Sequence, residues 1–117
     1  MDKIITFAVP CYNSAAYMDH CVETLLAAGE DIEIILVDDG STKDDTPAKC
    51  DAWASKHPDI IRAIHQENGG HGEGVNQGIR NARGVYYKVV DSDDWLDEEA
   101  LHTVMAQLRQ FAHMPAP

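Results

Sequence analysis

Apolar residues fall along this chain in two alternating rhythms: short β-branched runs, and stretches where they recur every three or four positions. The first run, Ile4-Ile5-Thr6-Phe7-Ala8-Val9, predicts a strand over 4–9 that Pro10 closes. Asn13 or Ser14 can cap a following helix that runs to about Ala28. Tyr17, Cys21 and Leu25, then Met18, Val22 and Leu26, recur in it at i, i+4, and Gly29 is a natural stop. Ile32-Glu33-Ile34-Ile35-Leu36-Val37 reads as a second strand of nearly continuous apolar character. Thr46 as cap and Pro47 at the first helical position open a second helix, which ends near His57-Pro58. A third strand is predicted over 60–65, then a glycine-rich stretch over 68–78 leading into a short helix that ends by Gly84. Val85 to Val90 form a fourth strand, and a last helix spans about 97–111, with Leu101, Val104, Met105 and Leu108 as its buried stripe.

This β-α-β-α-β-α-β-α order, with short connections, predicts an α/β fold: a mainly parallel sheet flanked on both faces by helices and joined by right-handed crossovers. Ligands of such sheets sit beyond the carboxyl ends of the strands. The polar clusters of this chain fall there: Pro10 to Asn13, Asp38 to Ser41, Asn68 to Gly72, and Asp91 to Asp94.

Composition narrows the partners. At 117 residues the chain is expected to form one domain over 1–112 with a frayed tail over 113–117, and 44% hydrophobic content is that of an ordinary globule. The formal charge of −11 argues against nucleic acid and anionic membrane surfaces. It makes a bridging metal ion more necessary if the ligand carries phosphate. No apolar stretch reaches the ~20 residues of a membrane helix, and Met1-Asp2-Lys3-Ile4-Ile5 carries no secretory signal, so the default expectation is cytoplasmic. Cys11, Cys21 and Cys50 have no metal-like spacing and are expected as reduced, buried thiols.

Asp91-Ser92-Asp93-Asp94, directly after the fourth strand, is the cluster with the most chemistry in it. Carboxylates that close repel one another, and a hard divalent cation removes that cost; oxygen-only ligands suit Mg2+, Mn2+ or Ca2+ rather than zinc. The plainer reading is an acidic loop opening a helix. Convergence with three other clusters at one sheet edge favours the metal. Tyr12 can stack on a base or pack over the first helix; Asn13 can contact a ligand or only cap. In Asp38-Asp39-Gly40-Ser41 a carboxylate can accept the N–H of a base, while Gly40 fits a left-handed turn. The glycine-rich stretch has neither Gly-Lys-Ser/Thr nor a place after the first strand, so it is neither a P-loop nor a dinucleotide fingerprint. Its glycines allow close backbone approach to a ligand and to the sheet. His71 reads either as a phosphate contact or as a solvent-exposed loop residue. Arg80 and Arg83 offset the acids or face water, His65 reads as a packed residue at the core edge, and Trp95 and Leu96 anchor the acidic loop.

Taken together, Phe7-Ala8-Val9-Pro10-Cys11-Tyr12-Asn13, Ile34 to Thr42, Asn68-Gly69-Gly70, Asn76-Gln77-Gly78, Ala82-Arg83-Gly84 and Val90 to Asp94 resemble the N-terminal half of a family 2 glycosyltransferase of the GT-A fold. The likeness covers nearly the whole chain in order. It implies a Rossmann-like nucleotide-diphospho-sugar transferase fold and a nucleotide-sugar donor, most often a UDP-sugar, held with Mg2+ or Mn2+. By this resemblance Pro10 and Tyr12 contact uracil, Asp39 accepts its N3–H, and Asp38 supports the turn or the ribose. Asn13, Ser41, Asn68, Gly70, His71, Asn76 and Ser92 join the donor site, and Asp91, Asp93 and Asp94 hold the metal, with Asp91 also on the ribose. Two departures stand out. Gly74-Val75-Asn76 replaces an Ala-Arg-Asn common in relatives, removing a positive side chain for which His71 is a substitute. The family also runs well beyond 200 residues, so the acceptor site and general base are expected outside this chain, with the inner face of a membrane left open as the place of the whole protein. Two other classes fit less well. A sugar nucleotidyltransferase expects a glycine-rich, basic turn after the first strand. A phosphoacceptor domain expects its acceptor Asp on the middle strand and a lysine at a later strand end.

Overall fold

The computed structural model describes residues 3–40, 44–67, 71–94 and 97–112, with the backbone alone at 71–75 and 112. The expected alternation is present: β1 (Ile5–Cys11), α1 (Met18–Leu26), β2 (Ile32–Asp39), α2 (Thr46–Lys56), β3 (Ile61–Gln66), α3 (His71–Asn81), β4 (Tyr86–Val89) and α4 (Glu98–Ala112). The strands form one sheet in the order β3-β2-β1-β4, and every pairing is parallel. Phe7, Val9, Ile34 and Leu36 on the two central strands pack with Met18, Leu25, Ile61 and Met105 in the core. Each such side chain contributes roughly 1.5–3 kcal/mol on burial.

Several boundaries differ from the sequence expectation, each for a physical reason. Pro10 does not end β1, which continues to Cys11 and pairs there with Asp38. Ala8 turns its carbonyl toward β4, accepting from Val90 N at 2.9 Å, so Pro10, two residues on, faces the same side. The β1–β4 register ends at Ala8, so the missing N–H of Pro10 breaks no ladder bond. Asn13 does not cap α1: it sits at φ 49°, turning the chain, and α1 starts only at Met18. Thr46 is the first helical residue of α2 rather than its cap. Asp44 Oδ1 accepts from Thr46 N at 3.0 Å and from Thr46 Oγ1 at 2.6 Å.

The largest difference is α3, which takes in much of the glycine-rich stretch. Glycine costs about 1 kcal/mol in a helix interior, and packing offsets that cost here. A Cβ on Gly78 would lie 2.6 Å from Ala8 Cβ and 2.5 Å from Tyr87 Oη, so glycine lets the helix sit directly on the sheet. Gly84, just before β4, is as constrained: a Cβ there would stand 2.5 Å from the backbone of Ile5 and of Thr6.

One buried charge escaped the sequence reading. Glu33, on fully buried β2, has no exposure, and its carboxylate is answered from three elements. Thr6 Oγ1 donates at 3.0 Å, Arg83 N at 2.9 Å and Arg83 Nε at 2.6 Å, while Arg62 Nε stands 3.2 Å away. Burial pushes this carboxyl up, but the Arg83 N–H groups, Thr6 and Arg62 outweigh it and hold it below its ordinary value. Arg83 therefore neither faces the acidic cluster nor stands idle in water. At the far end of α4, Arg109 grips Asp31 through Nε at 2.6 Å and Nη2 at 2.7 Å.

Candidate functional site

Strand order decides where a ligand can sit. From β1 the chain moves outward to β2 and β3, then crosses back to place β4 on the other side of β1. The loops leaving β1 and β4 thus stand side by side at the carboxyl ends, the usual ligand position in such sheets, and a crevice opens between them. The crevice is about 510 Å³ and is lined by Pro10, Cys11, Tyr12, Asn13, Ser14, Tyr17, Asp39, Asp91, Ser92 and Asp93. A larger hollow of about 820 Å³ lies at the amino ends beside Lys3, Glu30 and Lys56. Its lining has no tyrosine and nothing like the Asp91–Asp93 cluster of the first, so size does not mark the site here.

Seven sequence-predicted residues thus meet around one space: Pro10, Tyr12, Asn13, Asp39, Asp91, Ser92 and Asp93. Tyr12 is half exposed, with its ring available to a flat ligand. A hydroxyl relay braces the walls: Ser92 Oγ donates to Ser14 Oγ at 2.7 Å, and Ser14 Oγ lies 3.2 Å from the Tyr12 carbonyl. Ser14 N donates to Thr46 Oγ1 at 2.7 Å, tying the same loop to α2. Ser14 and Tyr17 were not expected at the site. Ser14 was expected as a helix cap and Tyr17 as part of the apolar stripe, but α1 begins after both of them.

Asp91, Asp93 and Asp94 are exposed, and each offers a carboxylate oxygen within 4.8 Å of the others. Such spacing and all-oxygen chemistry fit a hard divalent cation. Among the described residues, no lysine or arginine is ion-paired with Asp93 or Asp94. The field of these acids also reaches α1. Cys21, whose Sγ–H donates to the Asp91 carbonyl at 3.7 Å, is pushed up to about 12, first by burial and then by Asp94, Asp93 and Asp91. All three cysteines are free, buried thiols, as expected from their spacing.

The paired acids after β2 part company. Asp39 lines the crevice, and its Oδ1 accepts from Gln66 Nε2 at 2.8 Å. Asp38, also buried, points to the other face, where its Oδ2 lies 2.9 Å from His65 Nδ1. His65 Nε2 meets Asp51 Oδ1 at 2.7 Å. Both ring nitrogens thus face carboxylates, which only accept, so the imidazole must be doubly protonated to satisfy both. Asp38 and then Asp51 raise His65 to about 8. It is a bridge rather than the packed edge residue expected. Asn76 is exposed on α3, away from the crevice lining. His71 opens α3, with its side chain outside the described residues; Ser41, Asn68, Gly70, Trp95 and Leu96 also lie outside them, as does the tail over 113–117. No described helix is long and apolar enough to cross a membrane.

Comparison with known proteins agrees with this fold. Glycosyltransferase GlyG of Streptococcus pneumoniae serotype 4 is 42% identical over 112 residues, covering 94% of this chain and 36% of its own length. The crystal structure of S. aureus TarS 1-349 in complex with UDP superposes with a TM-score of 0.76 at 26% identity, over 92% of this chain and 32% of that one. The mannosyltransferase PcManGT from Pyrobaculum calidifontis, in complex with GDP-Man and Mn2+, gives 0.75 at 25% identity, over 90% and 32%. This chain therefore spans about a third of the length of these relatives. The fold is that of GT-A glycosyltransferases. The model of the family described as Glycosyl transferase family 2 matches residues 6–114, nearly the whole chain, and to that family the chain belongs.

Proposed function

We propose that this chain is the donor-binding part of a glycosyltransferase that takes a nucleoside-diphosphate sugar, of the uridine type, together with Mn2+ or Mg2+. The observation that carries the reading is the meeting of Tyr12, Asp39 and the Asp91–Asp93 acids around one crevice at the carboxyl ends of the sheet. Tyr12 and Pro10 flank the base, and Asp39 accepts its imide N–H. Asp91 and Ser92 meet the ribose and diphosphate, with Asn13 at the turn between them. Asp91, Asp93 and Asp94 hold the cation. Bound there, a divalent ion supplies Lewis-acid stabilisation to the departing diphosphate. A complex of TarS with UDP and one of PcManGT with GDP-Man and Mn2+ support the ligand class.

In the whole protein the sugar passes to an acceptor hydroxyl, which a general base deprotonates. Glu98 and Glu99 occupy the first turn of α4, where acids complement the helix end, and neither is assigned that role. The chain alone is expected to bind donor without transferring the sugar. Titration calorimetry of the chain with UDP, with and without Mn2+, tests this. Binding that strengthens with Mn2+ is expected; absence of any metal-dependent heat at millimolar UDP overturns the reading.

A further inference from the structure

Asp39 and Gln66 are the last residues of neighbouring parallel strands and stand in register across the β2–β3 ladder. The Gln66 amide turns its N–H toward Asp39 Oδ1 at 2.8 Å, and the charge of the carboxylate fixes that orientation, since the flipped amide would set oxygen against oxygen. The cost falls on the other end of the same amide: Gln66 Oε1 is buried and finds no hydrogen-bond partner among the described residues. Buried polar atoms are almost always paired. Leucine would fill the volume without an orphaned acceptor, so packing alone gives no reason for an amide here. The contact with Asp39 does.

A carboxylate at a strand end turns about two side-chain bonds, and a base held against Tyr12 presents its N–H in only one direction. A fixed donor on the adjacent strand removes that freedom before the ligand arrives, which lowers the ordering cost of binding. The next pair back along the same ladder, Asp38 and His65, is joined too, so β3 braces both acids at the carboxyl end of β2.

We propose that Gln66 is a positioning residue that aims the Asp39 carboxylate at the imide N–H of the base, and so helps set base selectivity. This rests on the uridine-donor reading above. The test compares UDP with UDP methylated at uracil N3, which keeps the ring, ribose, diphosphate and metal contacts but removes the N–H. Affinities are measured by calorimetry in Mn2+ for the unaltered chain and for Gln66→Leu. Methylation is expected to weaken binding to the unaltered chain about 10-fold or more, the scale of a hydrogen bond to a charged group. In Gln66→Leu the same methylation is expected to cost about threefold or less, because UDP loses affinity while methyl-UDP does not. A purely structural role would weaken both ligands equally and leave the ratio unchanged; that result overturns the proposal. So does equal binding of the two ligands by the unaltered chain, an outcome that leaves metal-dependent UDP binding standing. Failure of the unaltered chain to bind UDP at all overturns both readings together. If Gln66→Leu does not fold, Gln66→Glu, equal in length but repelling Asp39, is expected to lower the same ratio.

Discussion

Glu33, near the amino end of β2, and the acids that follow β4 stand at opposite ends of one sheet and meet opposite treatment. Glu33 is wholly buried, and the chain itself answers it with a hydroxyl, a backbone N–H and two guanidinium groups. Asp91, Asp93 and Asp94 crowd within 4.8 Å and face solvent. The first arrangement spends cations from α3's exit and from β3 on holding the fold together. In the second, no lysine or arginine among the described residues is ion-paired with Asp93 or Asp94. In a protein with a net charge of −11, where its few cations are placed says which acids are structural.

The contrast breaks most visibly at Arg83. Arg83→Met should cost about 3 kcal/mol in urea unfolding, the scale of leaving a buried carboxylate under-compensated. A change below about 0.5 kcal/mol, typical of surface sites, would mean that Arg62 and Thr6 suffice and that the buried cluster is no keystone. The double change Asp93→Asn, Asp94→Asn should do the reverse. Mn2+ affinity, followed by paramagnetic resonance of free Mn2+, is expected to fall at least about 100-fold, since outer-shell partners alone are worth ~10–100-fold. Unfolding of the metal-free protein should move by no more than about 0.5 kcal/mol.

Acid sharpens the same comparison. Glu33 is held below its ordinary value in the fold, so its contribution is present above the unfolded-state pKa and lost as pH falls through the depressed value. Asp31, held down by Arg109, adds in the same sense. A falling denaturation midpoint below about pH 4.5 is therefore expected, and it should be shallower in Arg83→Met. The smallest effect lies on the alkaline side. His65, raised from 6.5 to about 8, contributes stability that is complete below pH 6.5 and lost as pH rises through 8. Its side chain is 41% exposed, so screening leaves about 1 kcal/mol or less. Denaturation midpoints between pH 6 and 9 check this, with His65→Gln expected to flatten the profile.

The periodicities disclosed all four strands and the order of the helices because strand interiors and helix stripes are set by burial, which the pattern reports directly. They also placed seven residues of the crevice on one edge, since a parallel sheet sends every strand's exit the same way. The length of α3 was hidden because glycine argues locally against helix, and only contact with Ala8 and Tyr87 reverses the balance. Glu33 was hidden within an apolar run, its partners lying far along the chain at Arg62 and Arg83. The residue pattern alone did not separate Asp38 from Asp39; only the family resemblance gave the base contact to Asp39. The two-residue period of a strand sends them to opposite faces, one to His65 and one to the crevice.

The place of β1 at the middle of the sheet has a consequence for how the protein is made. Its β2 neighbour follows after one helix, but its other neighbour begins at Tyr86, which pairs with Ile5. Parallel pairing over such a separation pays loop closure before any contact rewards it and forms slowly. During synthesis the wall that carries Tyr12 and Asp39 can assemble while the wall that carries Asp91 and Asp93 is still unmade. Until β4 arrives, one flank of β1 is an open hydrogen-bonding edge, so the growing chain is most exposed to mispairing during that interval.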